Sequence, residues 1–174
     1  MFSYLFRGID CLSIVFSKVA NIVALGLVVS MIYEVLARYL FNAPTLWAFD
    51  IAYMATGTLF VLGAAQALRE DAHVRIDFLS SRFPAKFRDG FNGFIYVFLL
   101  FPIFAMLSKV AIGKAWHAYV SGEVEMVSPW APLMWPFYTL LALGLLALSL
   151  QLLVEGLRAF GAAKGVTQVK EGDA

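Results

Sequence analysis

The chain has 174 residues, of which 61% are hydrophobic and 14% are charged, and its formal net charge is +1. Soluble domains are nearer half apolar and a quarter charged, so most of this surface must meet something other than water. No basic stretch is dense enough to indicate a nucleic-acid partner, and the single cysteine, Cys11, excludes an intramolecular disulfide and a thiolate metal cluster.

Four apolar stretches are long enough to cross a hydrocarbon core, which takes about 20 helical residues. They cover residues 16–37, 47–68, 91–112 and 133–157. The sequence therefore predicts an all-α integral membrane protein with one four-helix domain over residues 1–164 and a flexible cytoplasmic tail over residues 165–174. Charged residues interrupt the start of the chain and no small-residue cleavage site follows, which favours a retained first span over a signal peptide.

Basic residues predict the orientation of the four spans. Ten of the thirteen lysine and arginine residues lie near the two termini or in the loop between spans two and three. That side is predicted to be cytoplasmic, so both termini are inside. The four tryptophans lie beside the other two loops, where their amphipathic rings suit the outer headgroup layer: Trp47, Trp116, Trp130 and Trp135.

The first hairpin carries charges at its outer end. Glu34 and Arg38 are four residues apart, on one face of the first helix, and Asp50 lies one turn into the second. We expect Arg38 to pair with Glu34 or Asp50 and to fix the hairpin; the alternative is a solvated interfacial pair. A proton relay is disfavoured, because such sites lie mid-membrane among several partners.

The second span presents a face of small residues, which allows close approach to another helix of this chain or of a partner: Ala52, Thr56, Gly63 and Ala67. After it, residues 71–91 place apolar side chains at helical spacing between four basic residues: Arg75, Arg82, Lys86 and Arg88. This pattern predicts an amphipathic helix between spans two and three that lies in the cytoplasmic headgroup layer and contacts membrane phospholipids. Pro84 must break or restart that helix, and an ordinary basic loop is the alternative.

In the third span, Pro102 should free the carbonyl of Phe98 and bend the helix, and Lys109 is predicted to snorkel to the outer interface. The span centres offer few polar groups and no acid or base. Nothing resembles a nucleotide-binding loop, a catalytic triad or a metal-ligand cluster, and both histidines, His73 and His117, are predicted to fall in loop regions. We therefore predict no enzyme activity, no cofactor and no self-sufficient transporter, which would show repeats and midplane polar groups.

Two motifs stand at the ends of the second span. The first is Arg38-Tyr39-Leu40-Phe41-Asn42-Ala43-Pro44-Thr45-Leu46-Trp47, and the second is Gly63-Ala64-Ala65-Gln66-Ala67-Leu68-Arg69-Glu70-Asp71-Ala72-His73-Val74-Arg75-Ile76-Asp77. In this order they resemble the small membrane subunit of tripartite ATP-independent periplasmic (TRAP) transporters. Asp50 stands where a glutamate is commoner in that family, and the likeness covers about residues 10–160.

The resemblance implies a complex of three proteins in the bacterial inner membrane. A large membrane subunit would carry the substrate and sodium sites and move in an elevator-like way, and a soluble periplasmic protein would capture an organic acid. The small subunit would pack against the large one as a fixed scaffold. Its interface candidates are Arg38, Asn42, Pro44, Trp47, Asp50, Gly63 and Ala67, and its candidates for docking the periplasmic solute-binding protein are Glu123, Glu125 and Trp130.

Two other functions compete with this interpretation. An autonomous small four-helix exporter would have tight loops and an essential acid inside its first span, but Glu34 is near the end of that span. A membrane anchor subunit of a respiratory enzyme would place histidines within its spans, and the predicted spans contain none.

Overall fold

The computed structural model describes residues 2–69 and 85–163, which are mostly helical. Its helices are α1 (Phe2–Leu40), α2 (Ala48–Arg69), α3 (Ala85–Phe94), α4 (Phe101–Ser121) and α5 (Trp135–Ala163), and a π-helical segment, Ile95–Leu100, joins α3 to α4. Four stretches are long and apolar enough to cross a membrane: Gly8–Leu40, Ala48–Leu68, Gly90–Ser121 and Trp135–Gly161. The predicted all-α fold with four transmembrane helices is therefore confirmed.

The first, third and fourth spans continue as helix beyond the apolar stretches that predicted them, whereas α2 matches its stretch to within one residue. α1 begins at Phe2 rather than near residue 16 and has 39 residues, a length of about 58 Å. Polar residues at the helix ends lower the hydropathy without breaking the helix, so an apolar window underestimates helix length. The ends that face the two tryptophan-flanked loops are sharp: α1 gives way to Asn42 at φ 52°, and α4 stops at Gly122 at φ 64°.

The third span changes its winding where the sequence predicts a bend. Residues Ile95–Leu100 are π-helical, and the Phe101 backbone N–H donates to the carbonyl of Tyr96, five residues back. Pro102, in the first turn of α4, has no N–H to give to Phe98. The wider turn just before it is a common way for a helix to absorb such a lost hydrogen bond.

Helix α5 is the centre of the molecule. It packs along both α2 and α4, whereas α1 packs along α2 and meets α5 over a shorter stretch. Half of the α5 span is buried, but little of the α1 and α4 spans is. The core lies between α2 and α5 and consists of small and aliphatic side chains: Ala65, Leu68, Ala147, Leu148 and Leu152.

Glycines bring α5 close to its neighbours at two levels. A Cβ added at Gly144 would lie 2.6 Å from Cγ1 of Val61 on α2, and one added at Gly156 would lie 2.5 Å from Cγ2 of Val97. A Cβ at Gly93 would lie 3.0 Å from the Gly156 carbonyl oxygen. Close helix approach over small residues supplies much of the packing energy in lipid, so these glycines are needed at their positions.

Two predictions fall outside the described residues. The flexible tail, residues 165–174, lies there entirely, as do residues 70–84, which include most of the predicted interfacial helix with Arg75 and Arg82. The chain is described again from Ala85, directly after Pro84, and helix α3 runs from there into the third span. Lys86 and Arg88 lie on α3, and their contact with lipid stays a prediction.

Candidate functional site

A buried carboxylate closes the first hairpin at the tryptophan end, the end of the molecule that carries loops 41–47 and 122–134. Glu34 is 6% exposed and accepts hydrogen bonds from Arg38 Nε at 3.0 Å and Arg38 Nη2 at 2.5 Å. Its second oxygen accepts from the backbone N–H of Thr45 at 3.0 Å and from the Thr45 hydroxyl. Of the two predicted partners of Arg38, the structure therefore provides Glu34, which ties the loop back to α1.

Asp50 has a different partner from the one expected. It lies buried in the first turn of α2, where the helix dipole favours a negative charge, and it accepts a hydrogen bond from the hydroxyl of Ser128. The Ser128 oxygen in turn accepts from the backbone N–H of Trp130 at 3.2 Å. Asp50 thus fastens loop 122–134 to the start of α2, across 78 residues of sequence.

The two acidic residues of loop 122–134 form hydrogen bonds with groups of the loop itself or of the helix before it. Lys114 Nζ donates to both oxygens of Glu123 at 2.8 and 2.9 Å, and Glu125 accepts from the backbone N–H of Val127 at 3.2 Å. The side chains that remain outermost are apolar: Met126 and Val127 are each 92% exposed. If this loop docks the binding protein, as predicted for Glu123, Glu125 and Trp130, the contact would include an apolar tip.

A second polar cluster lies at the opposite end of the molecule, where α1 meets α5. Gln151 is fully buried. Its Oε1 accepts from the Ser13 hydroxyl at 2.9 Å, and its Nε2 donates to Asp10 at 3.2 Å and Glu155 at 3.0 Å. Arg158 completes the cluster with salt bridges to Asp10 at 2.5 Å and Glu155 at 2.7 Å. We call these five residues the inner cluster.

Sequence reasoning missed the inner cluster. Its only sequence signal is spacing: Asp10 and Ser13 are three apart, and Gln151, Glu155 and Arg158 follow at four and three. Both sets therefore lie on one face of their helix. Nothing in the sequence says that these two faces meet, since 138 residues separate Ser13 from Gln151.

The remaining predicted interface residues take varied positions. Trp47 stacks on Tyr33 with ring centroids 5.7 Å apart, whereas Asn42 and Pro44 are exposed in the loop. A Cβ added at Gly63 would meet nothing within 4 Å, and Ala67 is only partly buried. The small-residue face of α2 is thus open at Gly63, and its contact with a partner helix stays a prediction.

At both ends of the molecule, polar side chains bind one another and join helices and loops. No group of three or more histidine, cysteine, aspartate or glutamate side chains within residues 2–69 and 85–163 could hold a metal ion. One surface groove runs along α1, lined by Met31, Ile32, Val35 and Leu36, and a second lies between α4 and α5. Both are apolar, which suits contact with lipid or with another apolar protein surface rather than with a hydrophilic solute.

Comparisons with known proteins agree with this geometry. Residues 27–162 match the family described as "Tripartite ATP-independent periplasmic transporters, DctQ component". The sialic acid TRAP transporter permease protein SiaT of Haemophilus influenzae (strain 86-028NP) is 31% identical over 77 residues, which are 44% of this chain and 12% of that protein. No solved structure matches. With four membrane-spanning helices and a family match over most of its length, the chain belongs to the DctQ components of TRAP transporters: it is a multi-pass protein of the bacterial inner membrane, and a transporter component rather than an enzyme.

Proposed function

We propose that this chain is the small scaffold subunit of a TRAP transporter that takes up organic acids. It would pack tightly against the large membrane subunit and contact the periplasmic solute-binding protein transiently, while the large subunit uses a sodium gradient to move the solute. The observation that carries the proposal is the placement of most charged side chains: Glu34, Asp50 and Glu123 at one end and Asp10, Glu155 and Arg158 at the other bind neighbouring groups of this chain.

Apart from Lys109 and a few hydroxyls such as those of Thr58 and Ser108, the middles of the described spans carry no polar group that a hydrophilic solute could bind. An organic anion crossing a membrane requires polar or cationic partners near the midplane. Among the described residues, the buried hydroxyl of Ser149 donates to a carbonyl of its own helix, and the glutamine of the inner cluster is already bonded to three side chains. A separate polypeptide would therefore carry the solute.

Clamps at both ends make the chain suitable as a static element. Glu34 and Asp50 hold the loops to α1 and α2 at the tryptophan end, and the inner cluster holds α1 to α5 at the other. A hydrogen-bonded network that is fully satisfied in a low-dielectric setting favours one packed arrangement. An elevator-like subunit moves relative to something fixed, and a clamped four-helix partner would widen that fixed part.

Reconstitution tests the proposal directly. The large subunit and the binding protein of the same system are placed in liposomes with and without this chain, and uptake of labelled organic acid is measured under an inward sodium gradient. We expect uptake only when all three proteins are present, and the large subunit should co-purify with this chain. Uptake or export of the acid by this chain alone would show that the proposal is wrong.

A further inference from the structure

A groove between α4 and α5 opens on the side of the molecule. Its volume is about 340 Å³, and the rings of Trp116, Tyr119 and Trp135 stand at its outer part. Buried Ala115 and Ala142 form its floor. Because the floor consists of alanines, the helices leave a space that could take a large apolar side chain from outside.

Lys109 lies at the depth of the far end of this groove. The rings of Tyr119 and Trp135 are 5.5 Å apart, so they mark one level on the two antiparallel helices. Lys109 is ten residues before Tyr119, and Leu146, at the far end of the groove, is eleven residues after Trp135. Both lie about 15 Å below the aromatic level at 1.5 Å per residue. That depth is about half of a hydrocarbon core roughly 30 Å thick. The expectation that the span centres carry no acid or base therefore does not hold for Lys109.

The side chain of Lys109 cannot readily reach the headgroup layer at the tryptophan end by snorkelling. The Cα–Cβ bonds of a helix lean toward its N-terminus, which for α4 points away from the tryptophan end. The four-carbon stem covers only part of the distance to the headgroup layer. Lys109 is exposed, and within residues 2–69 and 85–163 the structure gives its ammonium group no hydrogen bond or salt bridge.

The surface next to Lys109 is open to close approach. Gly113 lies one turn nearer the tryptophan end on the same side of α4, and a Cβ added there would meet nothing within 4 Å. Charged side chains at hydrocarbon depth generally face a protein partner or a counter-charge, and small residues mark helix contacts in membranes. The phosphate of a phospholipid would remain in the headgroup layer, out of reach of Lys109.

We propose that the α4–α5 groove seats a transmembrane helix of the large TRAP subunit, and that a carboxylate on that helix pairs with Lys109. A bulky apolar side chain of the same helix would fill the groove above the alanine floor. This inference rests on the proposed function, because it takes the large subunit to be the partner, and it names the face of the chain that meets it.

The test is recovery of the large subunit with this chain. Both proteins are co-expressed, this chain carries an affinity tag, and the amount of large subunit retained in mild detergent is measured. Lys109→Met should reduce recovery about tenfold or more, because it leaves the partner's buried acid unpaired, whereas Lys109→Arg keeps the charge and should retain most of it. Lys18→Met is the matched control: Lys18 is also exposed, but its helix direction favours snorkelling to the nearer end, so recovery should not change.

A second pair of variants tests the open surface without removing a charge. Gly113→Phe should block the approach of the partner helix and reduce recovery several-fold. Gly26→Phe places the same ring on the exposed side of α1, where a Cβ also meets nothing within 4 Å, and should leave recovery unchanged. Each variant should elute from size exclusion as the unmodified chain does, since a Cβ at either glycine meets no other helix among the described residues.

The outcomes separate the two proposals. If the unmodified chain does not retain the large subunit, the proposed function itself is wrong. If the unmodified chain retains it but Lys109→Met and Gly113→Phe retain as much, the groove is not the seat of the partner helix, and Lys109 only snorkels or contacts lipid. Loss of recovery in both variants, with both controls intact, would support the site.

Discussion

Replacing Gln151 by leucine should destabilise the protein by more than the small change in side-chain volume suggests. Leucine fills a similar volume, so little packing is lost, but three side-chain hydrogen bonds disappear: those to Ser13, Asp10 and Glu155. Two of these partners are carboxylates that stay partly buried beside Arg158. Removing one partner of a buried polar group costs more than the bond itself contributed, because the remaining group keeps its desolvation penalty.

The magnitude follows from the bonds lost. Interhelical hydrogen bonds in membrane proteins are worth about 0.6 kcal/mol on average, with about 1–2 kcal/mol in model peptides. Two of the lost bonds, to Ser13 and Asp10, are interhelical, and the third, to Glu155, is an i,i+4 bond within α5 worth a few tenths of a kcal/mol. Together they give a cost of about 2–4 kcal/mol in the free energy of unfolding. For a protein of this size, 1 kcal/mol corresponds to about 2–4 °C, so the melting temperature should fall by roughly 4–15 °C.

The assay is thermal unfolding of the purified chain in detergent, followed by size exclusion after heating. Ser149→Ala is the matched control, because the buried Ser149 hydroxyl donates only to the carbonyl of Leu146 in its own helix, and its loss should cost less than about 1 kcal/mol. If Gln151→Leu melts at or above the temperature of the unmodified chain, the inner cluster does not stabilise the fold, and the reasoning is refuted.

Two further substitutions test other contacts by the same assay. Glu34→Ala should lower the free energy of unfolding by about 2–3 kcal/mol and speed proteolysis in loop 41–47, because the backbone N–H and the hydroxyl of Thr45 lose their acceptor. Glu34→Gln should lower it by less, since the amide oxygen is still an acceptor. Equal effects of the two variants would show that other contacts hold the loop. Gly144→Val should cost at least about 1–3 kcal/mol by overpacking against α2, whereas Gly26→Val on the open face of α1 should be nearly neutral; a neutral Gly144→Val would mean that the two helices are not in close contact there.

Local patterns in the sequence were enough to predict some elements. The four spans follow from apolar stretches, because each helix must satisfy its own backbone in lipid. The link between Arg38 and Glu34 follows from their spacing of four residues. These features depend on residues close together in the chain, and the structure contains both.

Other features depend on tertiary placement that no local pattern contains. The pairing of Asp50 with Ser128 and of Ser13 with Gln151 joins residues 78 and 138 apart. Whether two small or polar stripes on different helices meet depends on the order of the helices and on their rotation about their axes. A single sequence read locally does not give either. Likewise, the sequence singled out Gly63 for close packing, but an added Cβ there meets nothing within 4 Å, whereas one at Gly57, Gly93, Gly144 or Gly156 would press against a neighbouring helix.

The two clamps on α1 also set a length. Twenty-one residues separate Ser13, in the inner cluster, from Glu34, which binds Thr45 and closes the first hairpin; this is about 31 Å of helix. That spacing equals the thickness of an average hydrocarbon core, so both polar clusters can sit at a boundary without tilt or lipid deformation. A thinner or thicker membrane would introduce hydrophobic mismatch at both clusters. The thickness of the bilayer would therefore affect the tilt of this subunit in the membrane.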